Sequence, residues 1–371
     1  MFLLHRHIGK KITVRAPGRI NIIGEHTDYN GGLALPAATH LALMMEMESV
    51  RDPSWSIQAL DPGEHFQLLL HTKNESSYHW VGFFRAMHSY AEEHQLPIGG
   101  LKIRFNSTIP IGAGMSSSSA LTSALVAGMN HLFGWNKAPL SLIRIASRVE
   151  HGYGVQGGLL DQMSIFLSKE NQALYLDFSN DSFHYLPMKT PGYSWVVWDS
   201  LERRQLVNSP YNQRRKAVEN VLQDLHAPHW QAVSATEINN VKGISKEVRM
   251  MCHFILEENN RVRLAAKCLK EENIVGLGEL LKASHAGLRD QYRVSSPGLD
   301  RLAGHLNSQK SCMGARMMGG GFGGMVLSLI KTQSLPELLY GIRQLPEFKR
   351  GSGRLHYPVH IGNGLTIEVQ N

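Results

Sequence analysis

Cysteine is scarce. Cys252, Cys268 and Cys312 are the only three in 371 residues, and their odd number and wide spacing supply neither a disulfide framework nor a zinc-ligand set. Long apolar runs are missing too, since none approaches the ~18 residues that a bilayer-spanning helix needs. The start, Met1-Phe2-Leu3-Leu4-His5-Arg6-His7, places apolar and basic residues in the wrong order for a secretory signal, so a cytoplasmic protein is expected. Charge never gathers into a block. Lys plus Arg exceed Asp plus Glu by 38 to 31, a formal +7, yet the densest basic pairs, Arg203-Arg204 and Arg214-Arg215, never extend to a run of five. Nucleic acid is therefore not an expected partner, and the excess suits attraction of anionic small molecules such as nucleotides. No internal repeat or low-complexity segment interrupts the chain.

What remains is globular composition, 43% apolar and 19% charged, in a chain long enough for two domains of ~150–200 residues. Residues 11–16 alternate as a strand and stop at Pro17-Gly18. Leu33 to Met45 is strand-like, and 101–105 alternates again. Ser117 to Leu132 reads as a buried helix with Leu121, Ala124, Leu125 and Met129 on one face. Residues 141–151 form another, with Leu142, Ile145, Ala146 and Val149 inward. Residues 194–199 look like a strand opening a second region, 211–292 are mostly helical, and 325–330 are a buried strand. The tail after Gly351 alternates at Leu355, Tyr357, Val359 and Ile361, as an edge or returning strand would. Without strict βα alternation the fold class is α+β in two lobes, with domains at 1–190 and 191–371.

Three loops carry the chemistry. The first, Ala16 to Asn30, holds Arg19, Glu25, His26 and Asp28 with two amides in fifteen residues, either a polar surface turn or a set of groups for a polyhydroxyl ligand. The second, Pro110-Ile111-Gly112-Ala113-Gly114-Met115-Ser116-Ser117-Ser118-Ser119-Ala120, leads directly into the Ala-rich helix. Small residues there let free helix N–H groups approach a phosphate, although no Gly-Lys-Ser/Thr of a Walker loop is present. The third, Gly314 to Gly324, satisfies G-x-G-x-x-G at Gly319, Gly321 and Gly324. A strand follows where a dinucleotide fold needs a helix, so an oxidoreductase reading is rejected and close backbone approach is expected. A fourth segment, Glu150 to Gln162, offers Glu150 and Asp161, which composition alone leaves as metal or proton acceptors or as ordinary helix-end carboxylates.

In this order these loops resemble the GHMP family of small-molecule kinases, and Gly24-Glu25-His26-Thr27-Asp28-Tyr29-Asn30 resembles the signature of its galactokinase branch nearly letter for letter. Ser209 to Arg215, Ser284-His285 with Leu288-Arg289-Asp290, and Val294-Ser295 to Leu299-Asp300 also match, so the resemblance covers about residues 12 to 330. It implies a ribosomal-protein-S5-like N-terminal domain, a ferredoxin-like C-terminal domain and a site between them. It also implies ATP-dependent phosphorylation of the anomeric hydroxyl of galactose. Arg19, Glu25, His26, Asp28, Gly158, Asp161 and Tyr211 would hold the sugar, with Asp161 the base and Arg19 steadying developing charge. Gly112, Ala113, Gly114, Met115, Ser116, Ser117, Ser118 and Ser119 would carry the ATP phosphates, and Ser118 and Glu150 a Mg2+ ion. The third loop would brace the nucleotide loop. Galactose and ATP are the expected partners of a monomer that engages no membrane. Where the family usually has Glu, this chain has Pro210 and Gly298, and one residue fewer separates Glu150 from Gly154. Another sugar, such as N-acetylgalactosamine, arabinose or a modified hexose, fits the same loops. A catalytically silent sugar sensor would be expected to lose part of Ser116–Ser119 or Asp161, and all are present.

Overall fold

The alternating segment at residue 11 opens β1 (Lys11–Asn21), which does not stop at Pro17-Gly18 as its sequence suggests. A register shift between Pro17 and Arg19 absorbs the proline, which has no N–H to give the ladder, and the strand resumes with Arg19 to Asn21. The computed structural model describes residues 8–61, 63–69, 78–110, 114–154, 157–203, 210–349 and 354–370. After β1 come β2 (Leu33–Ala34), β3 (Pro36–Val50), β4 (Ser54–Ala59), β5 (Glu64–Leu69), α1 (Val81–Glu93) and β6 (Gly100–Ser107). Helices α2 (Ser117–Phe133), α3 (Pro139–Tyr153) and α4 (Leu160–Leu167) follow, then the hairpin β7 (Gln172–Asp177) and β8 (Ser182–Pro187). The second half runs β9 (Tyr193–Asp199), α5 (Tyr211–Asp224), α6 (Ala235–Asn240), α7 (Lys246–Lys270), α8 (Ile274–Asp290) and α9 (Pro297–Asn307). It finishes with β10 (Cys312–Met318), β11 (Met325–Lys331), α10 (Leu335–Gln344), β12 (His356–Val359) and β13 (Thr366–Gln370).

Among the described residues the strands form three sheets, ordered β13-β1-β3-β6-β4-β5, β10-β11-β9-β12 and β2-β7-β8. Helix α2 is buried on nearly every side, which its Ala- and Ser-rich sequence allows, and α3 buries Leu142, Ile145, Ala146 and Val149 as its periodicity requires. In the second half, β9, a run of helices, β10, β11, α10 and β12 build an all-antiparallel sheet of the split βαβ, ferredoxin-like kind. Two faces of β9 explain its uninterrupted apolar run. Trp195 and Val197 join the core shared with the first half, whereas Val196 and Trp198 join the core of the second. The expected α+β fold in two lobes is what the chain adopts.

One sequence reading needs correction besides β1, and another needs extending. The stretch from Gly314 is strand until Met318, because Ala315, Met317 and Met318 are buried; only 319–324 is a turn, with Gly319, Gly321, Gly323 and Gly324 at positive φ. The tail does more than return beside β9. Past β12, residues 366–370 pair with 11–15 at the edge of the first sheet, crossing back over the division expected at residue 190. The three cysteines are free thiols, and among the described residues no helix is long and apolar enough to cross a membrane.

Candidate active site

Arg19 is the meeting point of the first, second and fourth segments. Emerging from the bulge in β1, its guanidinium is 6% exposed and donates through Nε to Asp161 Oδ1 at 2.8 Å, with Nη2 2.7 Å from the same oxygen. Its Nη1 donates to the Gly114 carbonyl, and its backbone N–H to the Met115 carbonyl at 3.2 Å. One arginine thus joins the end of β1, the loop before α2 and the first turn of α4, where Asp161 stands.

Asp28 opens a single 3-10 turn, Asp28–Asn30, across from α4. Its carboxylate accepts from the backbone N–H groups of Tyr29 and Leu160. Gly158 makes this approach possible, since a Cβ there would sit 2.1 Å from Asp28 Oδ2. Burial, and then the neighbouring Asp161, push the Asp28 carboxyl up to about 6. Tyr211, the first residue of α5, closes this side with its ring 5.5 Å from His26 and 5.8 Å from Tyr29. Burial, followed by Asp28, raises its hydroxyl well above the ordinary value. His26 adopts a left-handed backbone, φ 62°, and its Nδ1 lies 2.6 Å from the Tyr29 hydroxyl.

Glu25 faces away from these groups toward the second half. Its Oε1 accepts from Gly319 N–H at 2.8 Å and lies 3.2 Å from Nη2 of the wholly buried Arg316. Burial works to raise this carboxyl, but Arg316, Arg19 and the Gly319 N–H outweigh it and hold the group below its usual value. Arg316 also donates to the carbonyls of Asn21 and Ile22 at 2.9 and 3.2 Å. From the other side α7 supplies Glu258, whose Oε1 accepts from Gly24 N–H at 3.0 Å, and Asn259, whose Oδ1 accepts from Leu33 N–H at 2.8 Å. The first loop is thereby clamped from behind, where a mobile turn would lose its geometry.

The second loop enters α2 through Ser116, which has a left-handed backbone at φ 64°. Gly112 and Ala113 lie outside the described residues. Gly114, Ser117 and Ser118 are partly exposed at the helix start, where N–H groups and the positive dipole end favour an anion. The side chains of Met115 and Ser119 point elsewhere: Met115 is in the core, and Ser119, 1% exposed, bonds the carboxylate of Glu150. Those two residues present backbone, not side chain, to the cleft.

Glu150 is 4% exposed near the end of α3. Thr122 donates to its Oε1 at 3.2 Å and Gln162 to its Oε2 at 2.9 Å. Burial, then Asp161, push its carboxyl up to about 7. Such a carboxylate, with no ion pair among the described residues and a second carboxylate beside it, suits a divalent cation. Among the described residues no set of three or more His, Cys, Asp or Glu gathers as a metal cage, so a bound Mg2+ would rely on phosphate oxygens and water.

Among the described residues the third loop braces the first loop and the segments around Glu202 and Val294. Its bonds run to Glu25, to the Val294 carbonyl from Phe322 N–H at 2.7 Å, and to the Glu202 carbonyl from Gly324 N–H at 2.9 Å. Sequence reading passed over Arg316, Glu258, Asn259, Gln162, Tyr29 and Tyr292. A charged residue between Ala315 and Met317 in a buried strand, and Glu258-Asn259 within the stripe of Phe254, Ile255, Val262 and Ala265, were the available signals.

Residues 5–47 match the family model for the galactokinase galactose-binding signature, 82–169 the GHMP kinases N terminal domain, and 265–342 the GHMP kinases C terminal. The chain is 35% identical to a galactokinase of Thermotoga maritima over 319 residues, 86% of this chain and 89% of the relative. With that of Thermosipho africanus the identity is 34% over 354 residues, covering 95% and 99%. Among solved structures it is similar to Lactococcus lactis galactokinase complexed with galactose, at 27% identity and TM-score 0.88, over 96% of this chain and 95% of the other. The mevalonate kinase of Methanococcus jannaschii shares the fold at 17% identity, 95% and 98% coverage and TM-score 0.67. With a built cleft that joins its three segments at one arginine, and relatives that span nearly its whole length, the chain belongs to the galactokinase family of GHMP kinases.

Proposed function

We propose that the cleft around Arg19 transfers the terminal phosphoryl group of ATP to the anomeric hydroxyl of galactose, giving galactose 1-phosphate and ADP. The observation that carries this reading is the double engagement of Arg19, with Asp161 on the sugar side and the Gly114 carbonyl on the phosphate side. A sugar hydroxyl bound at Asp161 and a phosphate chain laid on Gly112–Ser119 would then meet beside one guanidinium.

Phosphoryl transfer asks little covalent work of a protein, so positioning and charge stabilisation supply most of the rate. Asp161 accepts or orients the anomeric proton, and Arg19 keeps its carboxylate in place and steadies charge that develops on the transferred group. Asp28, with His26, Tyr211 and the space left by Gly158, grips ring hydroxyls. An epimer would leave these buried partners unmatched at ~1–3 kcal/mol per group, which makes glucose a far poorer substrate. Glu25 sets the loop more than it touches the sugar, because its Oε1 is already committed to Arg316 and Gly319. Ser118 and Glu150 would hold Mg2+, which supplies neutralisation of phosphate charge when bound. Residues 1–190 provide most ligand-facing groups, while 191–371 provide Tyr211 and the rear clamp. The protein is proposed to act as a cytoplasmic monomer.

A coupled ADP-release assay over a panel of aldohexoses, N-acetylgalactosamine and arabinose, with and without magnesium, tests this reading. Magnesium-dependent release with galactose, and little with glucose, is expected. Equal rates on both hexoses would remove the role given to Asp28, and no release with galactose would defeat the proposal.

A further inference from the structure

Tyr292 lies just past α8, wholly buried in the core of the second half, yet it reaches the sugar side of the cleft through another tyrosine. Its hydroxyl is 3.0 Å from that of Tyr29, which is 2.6 Å from Nδ1 of His26. The Tyr292 ring packs on His26 with centroids 4.6 Å apart and on Phe254 at 5.1 Å. Its backbone is fixed on both sides, the N–H donating to the Gly287 carbonyl at 2.9 Å and the carbonyl accepting from Arg214 Nε at 3.0 Å.

Among the described residues Tyr29 is the sole hydrogen-bond partner of the Tyr292 hydroxyl. A buried O–H gives its proton to the acceptor it has, so Tyr292 donates to Tyr29. With that direction of donation Tyr29 gives its proton to Nδ1 of His26, and the ring proton of a neutral imidazole would then stand on Nε2. The backbone N–H of Tyr29 also holds the Asp28 carboxylate, so anchoring the Tyr29 ring fixes the turn that aims Asp28.

We infer that Tyr292 is a positioning residue for sugar recognition, acting through Tyr29 to set the tautomer of His26 and the placement of Asp28. This rests on the galactose-kinase reading of the cleft.

Tyr292→Phe removes one oxygen and keeps the ring. The KM for galactose should rise about two- to tenfold, the worth of one buried hydrogen bond, while kcat and the KM for ATP change by less than about twofold. Tyr29→Phe should raise it at least as much, and the double variant should be no worse than Tyr29→Phe alone, because the effect runs through Tyr29. Long-range proton–nitrogen NMR of the wild-type imidazoles should place the His26 proton on Nε2, with that fixed pattern lost in Tyr292→Phe. An unchanged KM for galactose, an effect mainly on kcat or ATP, additive losses in the double variant, or a wild-type proton on Nδ1 would each overturn the inference. If the wild type phosphorylates no sugar, the underlying reading fails instead, and the imidazole spectra alone decide the hydrogen-bond chain.

Discussion

Exchanging Asp28 for Asn should stabilise the sugar-free protein at neutral pH while weakening its hold on galactose. The carboxyl titrates at about 6 in the folded chain against an ordinary 3.8, first through burial and then through the charge of Asp161. A difference of about two units at 1.36 kcal/mol each puts an upper limit of about 3 kcal/mol on the penalty of keeping it ionised. The side chain is only partly buried and solvent screens it, so a gain of about 1–2 kcal/mol is the working expectation. The sign follows from proton counting. Between pH 4 and 6 the folded chain binds a proton that the unfolded chain has released, so the penalty is absent below about 4 and complete above about 6. Thermal unfolding without sugar should therefore show Asp28→Asn melting about 2–4 °C above wild type at pH 7.5, with the gap shrinking through about pH 5 and closing only as the pH falls to about 4. The backbone N–H groups of Tyr29 and Leu160 can still donate to the amide oxygen, so the local turn survives. The KM for galactose should rise at least about tenfold with the loss of a charged acceptor. A variant that melts lower than wild type at pH 7.5, or a gap independent of pH, would refute the placement of an ionised Asp28 in a penalising site.

Three further expectations concern the same framework. Asp161→Asn should lower kcat by about 10²–10⁴ while the fold survives, and turnover near wild type would remove Asp161 from the chemistry. Arg316→Met strands the Glu25 carboxylate and should destabilise by about 3–5 kcal/mol in urea unfolding, with Glu25→Gln recovering part; a loss under about 1 kcal/mol would show that the pair does not hold the loop. Glu202 caps α9 through the Ser296 hydroxyl and the Gly298 N–H at 3.0 Å, and a Cβ at 298 would lie 2.5 Å from its Oε1. Glu202→Ala should therefore lower stability by about 1–2 kcal/mol, and adding Gly298→Glu should restore at least half. Failure of the second change to help would mean that the cap is not transferable.

That last pair illustrates what the sequence alone conceals. Gly298 stands where related kinases usually carry Glu, which reads as a loss, but the carboxylate arrives from Glu202, a segment nearly a hundred residues earlier. The loops around Asp28 and Ser118 were legible because their chemistry is concentrated in contiguous stretches with small residues and helix starts. Helix α3 was legible because its burial follows a 3.6-residue period, and α2 because a long run of small and apolar residues follows a Ser-rich start. Long-range partners left weaker traces. Glu258 and Asn259 sit in the apolar stripe of α7, so their burial was readable, while their acceptance from Gly24 and Leu33 was not. Tyr292 looks like any aromatic after a helix until its hydroxyl is placed beside Tyr29. The continuation of β1 past Pro17 depends on a bulge, which local propensity does not announce.

The pairing of residues 11–15 with 366–370 has a consequence for how the molecule is made. A ribosome exposes β1 long before β13, so the outer flank of β1 stays an unclosed row of amide groups until residues 366–370 have emerged. The first sheet is thus completed only after the second half has been made. Nascent chains stalled before residue 366 should be the ones that cling to chaperones or to each other.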